Sequence, residues 1–174
     1  MAATSDKAMN GGIDIQNINV GHKAGSVRIQ FNKRDVKLND DYQKGCHSGS
    51  SCIAIEYRPK GPQQWAGIYW QSPVGNWKDA NGAYDLRGFK RLVFWAKGRR
   101  GGERISQFGL GGEGPNSDDI KILGVTLTHQ WQKYTIHLDN KDLHSIIDGF
   151  RFFILEYDNP QGCTFYLDDI VLER

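Results

Sequence analysis

The chain lacks long hydrophobic runs, a strong charge of either sign and catalytic signatures. No apolar segment approaches the roughly 20 residues that a membrane-spanning helix needs, so we expect no membrane insertion. The 22 basic and 20 acidic side chains leave a net charge of +2, which gives no electrostatic bias toward nucleic acid. The Gly-x-Ser-x-Gly elbow, the phosphate-binding loop and the His-Glu-x-x-His motif are all absent. These absences favour a soluble globular domain and give little support for catalysis.

The first residues, MAATSDKAMNGG, also lack the apolar segment of a signal peptide. This predicts either a cytoplasmic protein or a chain that begins after a removed leader. We expect residues 1–12 to be a flexible lead-in, because they are polar and terminal. Residues 13–174 are predicted to form one domain, since this length suits a single well-buried core.

Three cysteines and five histidines give only weak signals. Cys46 and Cys52 flank the polar loop HSGSS, and their spacing allows either a short disulfide or two free thiols. Cys163 is predicted to be a small core residue, since free cysteine packs as a hydrophobe. The histidines are scattered without the spacing of zinc ligands, so we do not expect a zinc site.

The chain is instead rich in glycine, with 21 residues, and in aromatic and β-branched residues. This composition favours many short strands joined by tight turns. At least two segments are apolar on both faces, as in central strands, so we predict an all-β fold, a two-sheet antiparallel β-sandwich of jelly-roll type, with a closed barrel as the alternative. Residues 98–102 are predicted to close a hairpin and residues 142–147 a helical turn. The predicted strands are 13–20, 26–31, 35–38, 52–58, 91–97, 103–110, 120–128, 131–138, 150–157 and 164–173, with a further strand at the start of 64–77.

Residues 64–77, QWAGIYWQSPVGNW, hold three of the five tryptophans. In a strand, alternate side chains face opposite ways, which places Ala66, Ile68 and Trp70 together on a face suited to the core. The opposite face carries Trp65, Gly67, Tyr69 and Gln71, a combination of flat rings, an amide and a residue without a side chain. Such a face can stack on a planar ligand such as a sugar ring, or it can serve ordinary packing.

The segments WAGIYWQSPVGNW, DLRGFKRLVFWAKGRRGGE, WQKYTIHLDNKDL and GCTFYLDDIVLE occur in this order along the chain. Together they resemble the galactose-binding-domain-like jelly rolls found in bacterial secreted carbohydrate-binding modules. The resemblance covers nearly the whole of residues 13–174. It implies a non-catalytic, secreted or cell-surface domain that binds a polysaccharide, with a glucan as one candidate. It also implies attachment to a larger secreted enzyme and a structural calcium ion near the chain termini.

The calcium expectation falls on three acidic residues. Asp168 and Asp169 are adjacent, so in a regular strand their side chains point to opposite faces and one of them faces inward. An inward carboxylate is costly unless it is neutralised, and calcium prefers oxygen ligands. Asp14 is the natural partner if the first and last strands pair. The alternatives are a salt bridge or backbone hydrogen bonds at a bulge.

The predicted ligand site centres on Trp65 and Tyr69, which supply stacking, with Trp77 as a wall. Each stacked ring is expected to contribute about 1 kcal/mol. Two other functions remain open, a protein-interaction or structural domain and a glycoside hydrolase, although no two strand acids show the i, i+2 spacing that would place a carboxyl pair on one face. The polar and late-strand candidates for the ligand site are Gln71, Glu56, Arg58 and Asn76, followed by Tyr157 and Glu156.

Overall fold

The computed structural model describes residues 34–71, 83–112 and 118–174, together with the backbone of three N-terminal strands. This part of the chain forms twelve β-strands and no helix. The strands are β1 (Ile13–Ile15), β2 (Ile18–Asn19), β3 (Arg28–Phe31), β4 (Val36–Tyr42), β5 (Cys52–Tyr57), β6 (Trp65–Gln71), β7 (Arg91–Gly98), β8 (Arg104–Leu110), β9 (Ile120–Thr126), β10 (Gln132–His137), β11 (Asp148–Leu155) and β12 (Cys163–Glu173).

The strands make two sheets. One has five strands in the order β3-β6-β11-β8-β9. The other has seven, in the order β10-β7-β12-β1-β2, and β5 pairs with β12 while β4 pairs with β5. The described strand pairs are antiparallel except for β1 and β12, which are parallel. The predicted two-sheet jelly-roll sandwich is confirmed, and the first and last strands pair with each other.

The core lies between the two sheets and follows the alternation of the strands. Ile68 and Trp70 of β6 are fully buried, as predicted. Phe150 of β11 packs against Trp70 in its own sheet, with ring centroids 5.5 Å apart, and against Phe94 of the opposite sheet at 5.2 Å. Burying side chains of this size supplies about 1.5–3 kcal/mol each. Because these aromatic side chains pack between the two sheets, the alternate residues of the same strands form the outer surface of each sheet.

The predicted hairpin at residues 98–102 is wrong, because β7 and β8 belong to different sheets. The segment carries the chain from one sheet to the other. Its turn is held by Glu103, whose carboxylate accepts hydrogen bonds from the backbone N–H groups of Arg100 at 2.7 Å and Gly101 at 2.9 Å. A Cβ on Gly98 would lie 1.8 Å from the Glu103 carboxylate, so a side chain there would displace the carboxylate from these hydrogen bonds. A glycine-rich turn between two strands therefore marks a crossover as readily as a hairpin.

The predicted helical turn at residues 142–147 is also wrong. Ile146 instead forms a strand-like bridge, exchanging backbone hydrogen bonds with Tyr84 over 2.8 and 2.9 Å. Leu143 and Ile146 are both buried in the core, and the segment between them bends without forming a helical turn. In the described part of the chain, no helix is long and apolar enough to span a membrane.

Candidate functional site

The outer face of the five-stranded sheet carries two rows of side chains that run across four strands. Residues directly opposite each other in an antiparallel pair share a face, so the pairing register defines these rows. We call this surface the aromatic face. Its first row is Tyr69, Arg151, Gly109 and Lys121, its second row is Gly67, Phe153, Gln107 and Leu123, and Trp65 lies opposite Leu155.

Three aromatic rings meet at the centre of the aromatic face. Phe153 lies between Trp65 and Tyr69, with ring centroids 5.6 and 5.4 Å away in edge-on arrangements that aromatic pairs prefer. Gly67 makes this possible. A Cβ at Gly67 would lie 2.7 Å from Cδ1 of Phe153 and 2.8 Å from the carbonyl oxygen of Phe152. The missing side chain thus lets the Phe153 ring lie down on the sheet.

A charge cluster with a buried arginine at its centre borders the rings. Arg151 is 3% exposed, forms ion pairs with Asp148 and Asp119, and holds its guanidinium 5.6 Å from the centre of the Tyr69 ring. Burial opposes the charge on Arg151, but Asp148 outweighs it by attraction and hydrogen bonding, so the pKa of Arg151 is raised. The guanidinium is permanently charged and fixed in position. It offers a polar, rigid edge to the aromatic face.

Exposure divides the aromatic face into a floor and a rim. Tyr69 is 5% exposed and Gln71 is fully buried, so both lie in the floor. Trp65 and Phe153 are half-buried, while Leu155 and Leu123 are 38% and 66% exposed. Ligand atoms that approach from solvent therefore meet Trp65, Phe153 and the leucines first, and Tyr69 supports them from below.

The remaining predicted ligand residues are not brought together here. Glu56 and Arg58 pair with each other on the other sheet, so they do not belong to the aromatic face. Tyr157 lies in the turn after β11 and is 91% exposed. Asn76 and Trp77 lie outside the described residues.

Phe153 and Arg151 are the functional candidates that the sequence reading missed. The run FRFFILEY is the most apolar stretch of the chain, which hides the alternation of its residues. The available signal was the arginine itself: a charged residue inside an apolar strand indicates which set of alternate residues faces away from the core. Read that way, Arg151, Phe153 and Leu155 form one face.

Asp168 and Asp169 lie at a bulge, where the pairing of β12 with β7 shifts register and Asp169 has a φ of 45°. Both carboxylates turn toward the loop closed by a disulfide between Cys46 and Cys52, which we call the disulfide loop. The N–H groups of His47 and Ser48 donate to Oδ2 of Asp168 over 2.9 and 3.0 Å, and the N–H of Asp169 donates to Oδ1 over 2.9 Å. Backbone hydrogen bonds at a bulge, one of the alternatives to calcium, therefore satisfy the Asp168 carboxylate.

These contacts do not fit a calcium site. Three N–H groups donate to the Asp168 carboxylate and use three of its about four lone-pair sites, so a cation there would meet the positive ends of N–H dipoles. Burial raises the pKa of Asp168, the N–H of Ser48 opposes that rise, and the neighbouring Asp169 adds to it. The sulfurs of Cys46 and Cys52 lie near Asp168, but they are bonded to each other. Asp14 pairs through its backbone with Val171, and its side chain lies outside the described part, so calcium stays a prediction.

Solved carbohydrate-binding modules have a similar fold. The family 11 module of the cellulosomal cellulase Lic26A-Cel5E of Clostridium thermocellum gives a TM-score of 0.52 at 15% identity, covering 84% of this chain and 85% of that one. A family 30 module gives 0.53 at 16% identity, with 84% and 76% covered. The family 30 module of the cellulase Cel9D-Cel44B of Clostridium thermocellum gives 0.51 at 17% identity, with 84% and 86% covered. No protein-family model and no curated protein matches the sequence.

Proposed function

We propose that this domain binds a polysaccharide without cleaving it, through the aromatic face of the five-stranded sheet. The observation that carries the proposal is the group of rings at the centre of that face, Trp65, Phe153 and Tyr69, seated on Gly67. The shared fold with carbohydrate-binding modules supports it. Neutral sugar chains present C–H patches on both faces of each ring, and flat aromatic side chains pack against such patches.

The polar groups around the rings supply orientation. Gln107 lies in the same row as Phe153, and Lys121 lies at the open end of the row that contains Arg151. Ligand sites typically combine apolar contact area with a few fixed polar groups that select hydroxyl positions. Arg151 is 3% exposed and is held by Asp148 and Asp119, so it supports the Tyr69 ring from below and is not itself a ligand contact. The exposed leucines at the rim extend the contact along a polymer.

Affinity electrophoresis in gels that contain soluble neutral polysaccharides tests the proposal. We expect the wild-type protein to be retarded by at least one neutral glucan or xylan, and Trp65→Ala to lose about fivefold in affinity, since one stacked ring contributes about 1 kcal/mol. Trp131→Ala is the matched control. It removes a half-buried tryptophan from the opposite side of the sandwich and should leave retardation unchanged.

Two results would contradict this function. Retardation by none of a broad panel of neutral polysaccharides would favour a protein-interaction domain, in which the same rings meet a partner. Release of reducing sugar during incubation would indicate an enzyme. The second result is then checked with Asp148→Asn and Asp119→Asn, the acids that border the rings.

A further inference from the structure

The other sheet carries a cleft that takes no part in the aromatic face. Its volume is about 520 Å³, within the 300–1,000 Å³ typical of ligand sites. Small side chains make the floor: Ala54 of β5 and Thr164 of β12. Two tyrosines form one wall, Tyr42 and Tyr166, with ring centroids 5.1 Å apart.

The pairing register explains why a cleft forms here. Ala54 lies opposite both Tyr166 and Asn39, and Glu56 lies opposite both Thr164 and Lys37. Small and large side chains therefore alternate across three neighbouring strands on the outward face. The depression between them is a property of the sheet and needs no loop to shape it.

The cleft carries an excess of positive charge. Lys37 and Arg99 line it, are exposed, and form no ion pair with any residue that the structure describes. Glu56 is the acid in the cleft, and Arg58 is its ion-pair partner. A ligand in this cleft meets two cations whose charge the protein itself does not neutralise.

The positive charge continues around the end of the sheet. A second cavity of about 330 Å³ shares Glu56, Arg99 and Thr164 with the cleft. Of the acids along this path, Asp35 and Glu103 are buried and accept hydrogen bonds from backbone N–H groups. Asp158 pairs with Arg104, and Glu56 pairs with Arg58. The basic side chains that line the cleft and its neighbouring cavities are Arg34, Lys37, Arg58, Lys60, Arg99 and Arg100.

We propose that this cleft is a second binding site, for the uronic acid units of an acidic polysaccharide. The tyrosine rings contact the sugar ring, Lys37 and Arg99 bind the carboxylate, and Asn39 and Thr164 bind hydroxyl groups. Arginine suits this task because its planar fork matches a carboxylate. The continuous positive path suits a chain with a carboxylate on each unit. The site is independent of the aromatic face and of the function proposed for it.

Isothermal titration calorimetry of the full chain with a galacturonic acid trimer tests this site, with a glucuronic acid trimer run in parallel. The test variant is Lys37→Ala with Arg99→Ala. The matched control is Lys133→Ala with Lys141→Ala, which removes the same charge from exposed positions outside the cleft. We expect at least one trimer to bind, the cleft variant to bind it at least tenfold more weakly, and the control to stay within twofold of wild type. Thermal melting of each variant confirms folding.

The outcomes separate the two sites. Trp65→Ala should leave uronate binding within twofold of wild type, and cellotriose, a neutral trimer, should not compete with the uronate. Equal weakening by the cleft variant and the control would mean diffuse attraction to positive charge, and would overturn the proposal. So would a loss of uronate binding in Trp65→Ala, or the absence of binding to either acidic trimer in the wild-type protein.

Discussion

Trp65 and Trp70 lie five positions apart on β6 and face opposite sides of the sheet. Trp70 is fully buried between Phe150 and Phe152, whereas Trp65 is half-buried and contacts Phe153 edge-on. We therefore expect Trp70→Ala to lower the free energy of unfolding by about 3–5 kcal/mol, because it opens a cavity in the core. Trp65→Ala should lower the free energy of unfolding by only about 1 kcal/mol, because it removes one edge-on ring contact. Urea denaturation of both variants measures the difference, and equal losses would place Trp65 in the core and remove it from the proposed site.

Cys163 provides a second test at the level of one residue. Cys163 is half-buried and packs against the core, and this partial burial, followed by the nearby charge of Glu103, raises the pKa of its thiol to about 12. Only the thiolate reacts with alkylating reagents, so we expect Cys163 in the folded protein to react far more slowly at pH 8–9 than a free cysteine of pKa about 8.5. The folded state keeps its proton above pH 9 while the unfolded chain loses it, so the contribution of Cys163 to stability falls as the pH rises from about 9 toward 12.

Iodoacetamide labelling followed by mass spectrometry measures the rate at Cys163, and the urea-unfolded chain is the control. Labelling in the native protein as fast as in urea would contradict the burial. The alkaline fall in stability should be smaller in Cys163→Ala, which has no thiol to titrate.

Sequence alone predicted which residues of β6 face the core, since Ala66, Ile68 and Trp70 are apolar and occupy alternate positions of the strand. It did not predict that Tyr69 lies in the floor of the aromatic face, because that depends on Phe153 and Arg151 of β11. Those partners are distant in sequence, and their register with β6 is set by tertiary pairing. Gly67 was correctly singled out, but its role is to seat a ring of the protein itself.

At the level of elements, the disulfide loop packs on the outer face of the seven-stranded sheet and connects several of its strands. His47 stacks on Trp95 with ring centroids 3.7 Å apart, and its ring nitrogen contacts Asp169 at 2.8 Å. Trp131 and Lys97 both donate hydrogen bonds to the carbonyl of Gly45, over 3.0 and 2.7 Å. The loop therefore joins β7, β12 and the start of β10.

We expect Cys46→Ser with Cys52→Ser to lower the free energy of unfolding by about 2 kcal/mol or more. Opening a loop of this length restores about 2 kcal/mol of chain entropy to the unfolded state. Any further loss arises because the N–H donors of His47 and Ser48 become free to leave the buried Asp168 carboxylate. Urea denaturation measures the loss, and Cys163→Ser, which breaks no disulfide, is the control. A loss below about 0.5 kcal/mol would mean that the loop stays in place without its disulfide.

Elements also show where prediction from sequence reaches its limit. The strands were found because their alternation is local, and the spacing of Cys46 and Cys52 allowed the disulfide that the structure contains. The connection of residues 98–102 was misread because a hairpin and a crossover share the same glycine-rich pattern. The strand pairing distinguishes them, because β7 and β8 belong to different sheets.

For the whole molecule, the two sheets present surfaces of different chemistry. The aromatic face offers rings and leucines around a neutralised arginine, while the cleft on the seven-stranded sheet offers tyrosines beside unpaired cations. Glu56 and Arg58, predicted as partners of Trp65 and Tyr69, belong to this second surface. A sequence lists both surfaces along one chain, and only the pairing of strands assigns each residue to a sheet.

For the whole molecule, the resemblance in sequence and the hydrogen bonds at Asp168 lead to opposite predictions about calcium. The resemblance to carbohydrate-binding modules implies a structural calcium ion near the termini, where β1 and β12 pair. The hydrogen bonds at Asp168 instead satisfy that carboxylate without a cation. We therefore expect the melting temperature to be the same, within about 1 °C, in excess EDTA and in millimolar calcium.

If calcium did bind, a free calcium concentration of 100 times the dissociation constant would add about 2.7 kcal/mol of stability, which in a protein of this size raises the melting temperature by several degrees. Such a rise would show that calcium binds, and Asp14→Asn and Asp168→Asn would then identify which carboxylate holds it, since only the loss of a ligand removes the response to calcium.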